Sequence, residues 1–198
     1  MAADYATMAE LKAQLGIEED DTSRDARAGR AVRAASRAIE RACGRRFWLD
    51  EAAQTRTYRL EGRTVRDADG ALLLVDDIGD TGGLLVEAGT GSSWATVTSF
   101  ETHPDNALAD GKPVTGLFRP SATWGRAGTR VRVTARFGWP TVPDDIAEAA
   151  LIQASRLFKR ADSPEGVMGS SEWGVVRLSR RDPDVWALIE PYILPGFG

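Results

Sequence analysis

The stretch that most constrains this chain is a strand that turns a proline corner directly into a helix. Arg136-Phe137-Gly138-Trp139-Pro140-Thr141-Val142-Pro143-Asp144-Asp145-Ile146 ends an alternating run, turns at Gly-Trp-Pro and opens an alanine-rich helical pattern. Its counterpart is Ala38-Ile39-Glu40-Arg41-Ala42-Cys43-Gly44-Arg45-Arg46-Phe47-Trp48, a helical pattern that stops at a glycine and leads into strands. The two corners bracket a β-rich segment between two helical blocks. The layout predicts an α+β fold. Residues 1–50 and 138–198 form a helical core: a long N-terminal helix packed on a second long helix, with a short C-terminal helix. Residues 51–137 form an inserted antiparallel sheet or sandwich of five or six strands. Gly44, Phe47, Gly138, Trp139, Pro140 and Pro143 are the structural residues of the corners.

The helices carry their own start and stop signals. Thr7-Met8-Ala9-Glu10 is a capping box, and the short helix after it ends at Gly16. The acidic linker Glu18-Glu19-Asp20-Asp21 favours the positive end of the next helix dipole. That second helix runs from about Thr22 to Cys43 and stops at Gly44. Pro143 suits the first position of the third helix, where its missing N–H is not needed. Ile146, Ala150, Ala154, Leu157 and Phe158 form that helix's buried stripe, and its alanines allow close approach of another helix. Asp182-Pro183-Asp184 caps a short final helix that Pro191 ends, and the tail after Leu194 reads as extended.

Between Thr55 and Phe137 the period changes to two. Thr55–Leu60, Leu72–Val75, Leu84–Val86, Trp94–Phe100 and Thr129–Phe137 are strand candidates. Asp69-Gly70, Gly82-Gly83, Gly89-Thr90-Gly91 and Asp110-Gly111 are the turn signals, and Thr102–Pro113 reads as a surface loop. Ala161–Ser179, with its glycines and Trp173, reads as a loop.

Little in the chain suggests chemistry. His103 is the only histidine and lies beside Pro104 in a polar loop, and no recognised motif places a serine, cysteine or acid near it for catalysis. Cys43 is the only cysteine, which excludes an intrachain disulfide and fits a reducing compartment. It sits on the apolar face of a helix near the C-terminal end, as a buried small hydrophobe would. Asp76-Asp77-Ile78-Gly79-Asp80 lacks the spacing that fixes calcium geometry and reads as an acidic turn. The glycines from Gly166 to Gly174 are not followed by Gly-Lys-Ser/Thr, so they form no phosphate loop. The expectation is no catalysis, no metal and no cofactor. The N-terminus has no signal-peptide pattern, and no apolar stretch approaches the ~20 residues that span a bilayer. A soluble, intracellular protein is expected.

Charge is unevenly placed. Of 25 basic residues only Lys12, Lys112 and Lys159 are lysines. Arg27, Arg30, Arg33, Arg37, Arg41 and Arg45 fall within about 120° of a helical wheel, opposite Ala28, Val32, Ala35, Ile39 and Cys43. Residues 24–46 hold eight arginines against Asp25 and Glu40, in a chain of net charge −4. This face is read in three ways: solvated, ion-paired to another protein, or bound to DNA phosphates. Trp173 in its loop is a candidate anchor for a partner.

The ordered set of these features resembles the head–tail connector, or head-completion adaptor, proteins of long-tailed bacteriophages. The carriers are Tyr5–Gly16, the helix ending Ala42-Cys43-Gly44-Arg45-Arg46-Phe47, the corner Phe137–Pro143, the helix end Arg156-Leu157-Phe158-Lys159-Arg160, Ser163-Pro164-Glu165-Gly166, and the segment around Arg177-Leu178 and Asp182-Pro183. The resemblance implies a non-catalytic virion protein of the capsid vertex, assembled in host cytoplasm. It implies a ring of twelve copies under the portal protein, which extends a channel for double-stranded DNA and presents a surface to a stopper or other tail-completion protein. A ring needs two complementary faces. Arg27, Arg30, Arg33, Arg37 and Arg41 are candidates for one, and Asp76, Asp77 and Asp80, with Glu18–Asp21, for the other. Trp173, Arg177, Arg180, Arg181, Trp186 and Tyr192 are candidate portal contacts. The alternative is a nucleic-acid-binding protein that uses the arginine-faced helix 24–45.

Overall fold

The computed structural model describes residues 3–160, 167–168, 176–177 and 182–194. The protein is α+β, and the chain divides into two compact units, Met1–Arg46 with Val142–Gly198, and Phe47–Thr141.

The first unit is helical: α1 (Met8–Leu15), α2 (Asp25–Cys43), α3 (Asp144–Arg160) and α4 (Pro183–Ile189). Each boundary has a local cause. Thr7 and Glu10 close the capping box of α1, and Gly16 ends it at φ 66°. Residues Thr22–Arg24 form a single 3₁₀ turn, capped by Asp21, before α2 begins. Gly44 ends α2 at φ 67°. Asp182 accepts hydrogen bonds from the amides of Asp184 (3.0 Å) and Val185 (3.3 Å), and Pro183 takes the first turn of α4.

Helix α2 packs along α3, and α3 packs on α4. The packing is made by small side chains, Ala28, Ala31, Ala35 and Ser36 on α2 and Ala149, Ala150, Ala154 and Ser155 on α3, all buried. Ile39, Ile146 and Phe158 supply the bulk. Lys12 of α1 is buried, and burial of an ammonium requires a partner. Its Nζ lies 2.6 Å from the Asp25 carboxylate and donates to the Glu19 carbonyl at 2.9 Å. One side chain thus ties α1 to the acidic linker and to the start of α2. Strands β8 (Val167–Met168) and β9 (Val176–Arg177) form a two-residue pairing within the stretch expected to be loop.

The second unit is one antiparallel sheet of seven strands, rather than the five or six expected: β1 (Gln54–Arg59), β2 (Thr64–Arg66), β3 (Gly70–Thr90), β4 (Ser93–Thr96), β5 (Glu101–His103), β6 (Val114–Pro120) and β7 (Arg130–Phe137). The order is β1-β7-β3-β6-β5, with β2 and β4 also paired to β3.

Strand β3 corrects the reading of the sequence most. Leu72–Val75 and Leu84–Val86 belong to one strand of 21 residues, and neither Asp76–Asp80 nor Gly82-Gly83 ends it. Instead the register slips between Leu74 and Ile78 against β6, and between Ile78 and Asp80 and again before Leu85 against β7. These are bulges, which bend a strand without ending it. The buried positions move from Ala71, Leu73 and Val75 to Ile78 and Val86, from odd to even numbers. Residues on both sides of the slips, Leu73 and Ile78 with Val86, lie in the same core. The acidic residues are partnered along the way, Asp76 by Arg56 of β1 and by Arg63, and Asp80 by Arg136 of β7.

Other strand expectations change as well. Val114–Pro120 is a strand that the sequence pattern did not predict, and Trp94–Phe100 supplies only β4, with β5 beginning at Glu101. The expected loop Thr102–Pro113 starts inside β5. The core of this unit gathers Tyr58, Leu73, Ile78, Leu117, Val131 and Phe137 around Trp124. Trp124 is 1% exposed and donates from Nε1 to the Ala71 carbonyl at 3.0 Å.

Candidate interaction surfaces

The arginine face of α2 separates into two kinds of residue. Arg27 is half-buried, and its guanidinium lies 4.2 Å above the Phe158 ring and donates to the Phe158 carbonyl. Arg37 is half-buried, pairs with Glu40 at 3.2 Å and donates to the Ala3 carbonyl. These two arginines hold the helical unit together. Arg30, Arg33 and Arg41 are exposed.

Asp76, Asp77 and Asp80 are brought together on β3 but are engaged within their own unit. Asp76 accepts from Arg56 at 2.8 Å and from Arg63 at 3.4 Å. Asp77 accepts from the Trp139 indole at 3.1 Å. Asp80 accepts from the Gly82 amide at 2.7 Å and pairs with Arg136 at 3.0 Å. The Gly82 N–H, followed by Arg136, holds the Asp80 carboxyl below the ordinary carboxylate value. Among the described residues, no group of three or more His, Cys, Asp or Glu is placed to hold a metal ion.

The corner residues account for their sequence types. Trp139 is 6% exposed, with its ring 5.3 Å from the buried Phe47 ring. Gly138 has φ 115°, and a Cβ on it would stand 1.9 Å from the Trp48 carbonyl oxygen. Its amide donates to the Asp77 carbonyl at 2.8 Å. Pro140 and Pro143 are half-buried, and the Pro143 carbonyl accepts from the amides of Ile146 and Ala147. Gly44 provides the left-handed end of α2.

Of the candidate C-terminal contacts, Trp173, Arg180 and Arg181 lie outside the described residues, as does the side chain of Arg177 in β9. Trp186 is half-buried and lines a groove of about 430 Å³ with Ala38, Ile39, Arg41, Val185 and Ile189. Tyr192 is half-buried, and its hydroxyl donates to Asp145 at 3.1 Å. Burial, and then Asp145, raises the pKa of that phenol.

Cys43 is fully buried, and desolvation pushes its thiol up to about 11. His103 is exposed and joined to Pro104 by a cis peptide bond. No helix among the described residues is long and apolar enough to cross a membrane.

No protein-family model matches the sequence, and no curated protein matches it. Solved structures do share the fold. One is a chain in the neck of an empty GTA particle computed with C6 symmetry: 17% identical, with a TM-score of 0.51 over 96% of this chain and 91% of that one. A second is a chain in the virion of a native gene transfer agent (GTA) particle, 18% identical with a TM-score of 0.52, over 96% and 91%. The likeness is one of fold, and it runs through both units of the chain.

Proposed function

We propose that this protein is a structural part of the neck of a phage-like particle, a head–tail adaptor that does no catalysis. The observation that carries this reading is the fold likeness, across 96% of the chain, to chains from a particle neck and a virion. The adaptor resemblance of the sequence agrees with it. In this reading the protein docks beneath the portal as a ring of copies, extends the channel for double-stranded DNA and offers its far side to the next connector.

We place the interface between copies on the arginine face of α2. Arg27 and Arg37 shape that face from within, while Arg30, Arg33 and Arg41 have no ion pair or hydrogen-bond partner among the described residues. The matching acidic surface is Glu18, Glu19 and Asp20, which are exposed. Asp76, Asp77 and Asp80 are weaker candidates, because arginines or an indole of the same unit already neutralise or bond them. The segment from Arg177 to Tyr192, with Trp173 and Trp186, is assigned to the portal side.

The test is electron cryomicroscopy of the purified protein mixed with its cognate portal, against the portal alone. The expected result is an added ring below the portal. Arg30→Glu with Arg33→Glu weakens that ring, and added salt imitates the variant. Absence of a complex at high protein concentration counts against the adaptor reading. Normal rings from the double variant move the interface off α2.

A further inference from the structure

The sheet of the second unit carries a basic surface of its own. Its outward face is fixed by register. Thr55 of β1 and Thr134 of β7 bond each other through their hydroxyls at 2.8 Å, so they share a face. Two residues further along, Thr57 stands opposite Arg132, and two further again Arg59 stands opposite Arg130. On the other side of β7, Arg130 faces Gly89 and Arg132 faces Glu87, and Trp94 of β4 is the neighbour of Gly89. One row across four strands therefore reads Arg59, Arg130, Gly89, Trp94, and the next reads Thr57, Arg132, Glu87, Thr96.

Three details suggest that this face meets an anion. Arg59 and Arg130 are exposed like charges directly opposite each other, an arrangement that destabilises a sheet. Neither has an ion pair or a hydrogen-bonded side chain among the described residues, and nor does Arg132. The Arg132 guanidinium lies 3.7 Å above the Trp94 ring, whose Nε1 is itself tied to the Gly91 carbonyl at 3.0 Å. A stacked guanidinium is held in place while its in-plane N–H donors stay directed away from the ring. A Cβ on Gly89 would stand 2.0 Å from the Ser93 carbonyl oxygen, so glycine there lets the β3–β4 turn close tightly and hold Trp94 in place.

We propose that this face binds the sugar–phosphate backbone of duplex DNA. Three arginines are ranged about 5 Å apart across the strands and about 7 Å along them, with the threonine hydroxyls of Thr55 and Thr57 beside them. Arginine and hydroxyl donors are the groups that contact phosphate without reading sequence. A protein partner would want an apolar centre. Here the large apolar side chains are Trp94, half-buried beneath Arg132, and, in the adjoining row of Thr55 and Thr134, Leu85 at 41% exposure. The assignment deepens the proposed function, which brings duplex DNA past this protein. Its test uses neither portal nor ring, so the two readings fail separately.

The experiment is fluorescence anisotropy of a labelled duplex oligonucleotide with the full chain, titrated in salt from a low starting concentration. The wild type is expected to bind and to weaken steeply with salt. Arg59→Ala with Arg130→Ala reduces the slope of log K against log salt by about 1.8, at about 0.9 for each phosphate that is no longer neutralised. Arg59→Lys with Arg130→Lys retains the slope, since each charge is kept. Arg30→Glu with Arg33→Glu is expected to retain it, because those arginines belong to the other unit. Circular dichroism shows the alanine pair melting no lower than the wild type, since it removes a repulsion. The proposal is overturned by absent DNA binding at low salt, or by an unchanged slope in the alanine pair. It is also overturned if that pair abolishes self-association in sedimentation while DNA binding persists, which would assign the face to a second copy.

Discussion

Replacing Gly138 by alanine separates two reasons for a glycine that are usually confounded. At φ 115° the residue lies outside the left-handed helical well that side chains tolerate, which costs about 1–3 kcal/mol. The added Cβ would also stand 1.9 Å from the Trp48 carbonyl oxygen and 2.8 Å from its carbonyl carbon. These are backbone atoms and cannot swing aside, so accommodation requires a shift of the 48–49 segment, at about 1–3 kcal/mol for overpacking. Together the expected loss is about 4 kcal/mol, a large part of the ~5–15 kcal/mol that holds a domain. The control is Gly91→Ala in the same unit. Gly91 has φ 58° with nothing within 4 Å of its Cβ position, so only the backbone cost remains, at about 1–2 kcal/mol. Urea unfolding followed by tryptophan fluorescence and circular dichroism reads both variants. A large drop in midpoint for Gly138→Ala beside a small one for Gly91→Ala is expected. Equal losses in the two variants would refute the close approach of Gly138 to Trp48 and leave only φ strain.

Two further outcomes follow from titrating groups. Cys43, fully buried with its thiol raised to about 11, is about 0.1% thiolate at about pH 8, so a thiol reagent should leave the native protein unmodified and label it promptly in urea. Prompt labelling of the native state would mean that the end of α2 opens readily. Asp80 has a folded pKa below its ordinary 3.8, so its contribution is complete above that value and is lost as the pH falls through the depressed one. Asp80→Asn should therefore be less stable than wild type at neutral pH and should narrow that gap in acid. A gap that stays constant with pH would show that the Gly82 and Arg136 contacts do not bias the titration.

Local chemistry accounts for what was legible in the sequence. The helix ends at Thr7, Gly16, Gly44 and Asp182 appear where capping residues stand, because a cap is satisfied within three or four residues of its own position. The apolar stripe of α2 was readable for a similar reason, since the period of 3.6 places Ala28, Val32, Ile39 and Cys43 on one side whatever they meet. Arg130-Val131-Arg132-Val133 alternates openly, yet the alternation gave no sign that Arg59 would be its cross-strand neighbour.

The sequence alone therefore determined the capped helix ends at Thr7, Gly16, Gly44 and Asp182, the α+β class and the place where the period changes. The tertiary structure decided which charges remain available. Asp76 and Asp80 look free in the sequence, but Arg56, Arg63 and Arg136 come from positions 13 to 56 residues away along the chain. Arg27 looks like Arg30, but the Phe158 ring and carbonyl that engage it lie 131 residues away. The same long-range pairing allows β3 to run through three aspartates and a pair of glycines that would otherwise end a strand. A charge is quenched or left open by its neighbours in space, and antiparallel pairing brings in neighbours that no local pattern records.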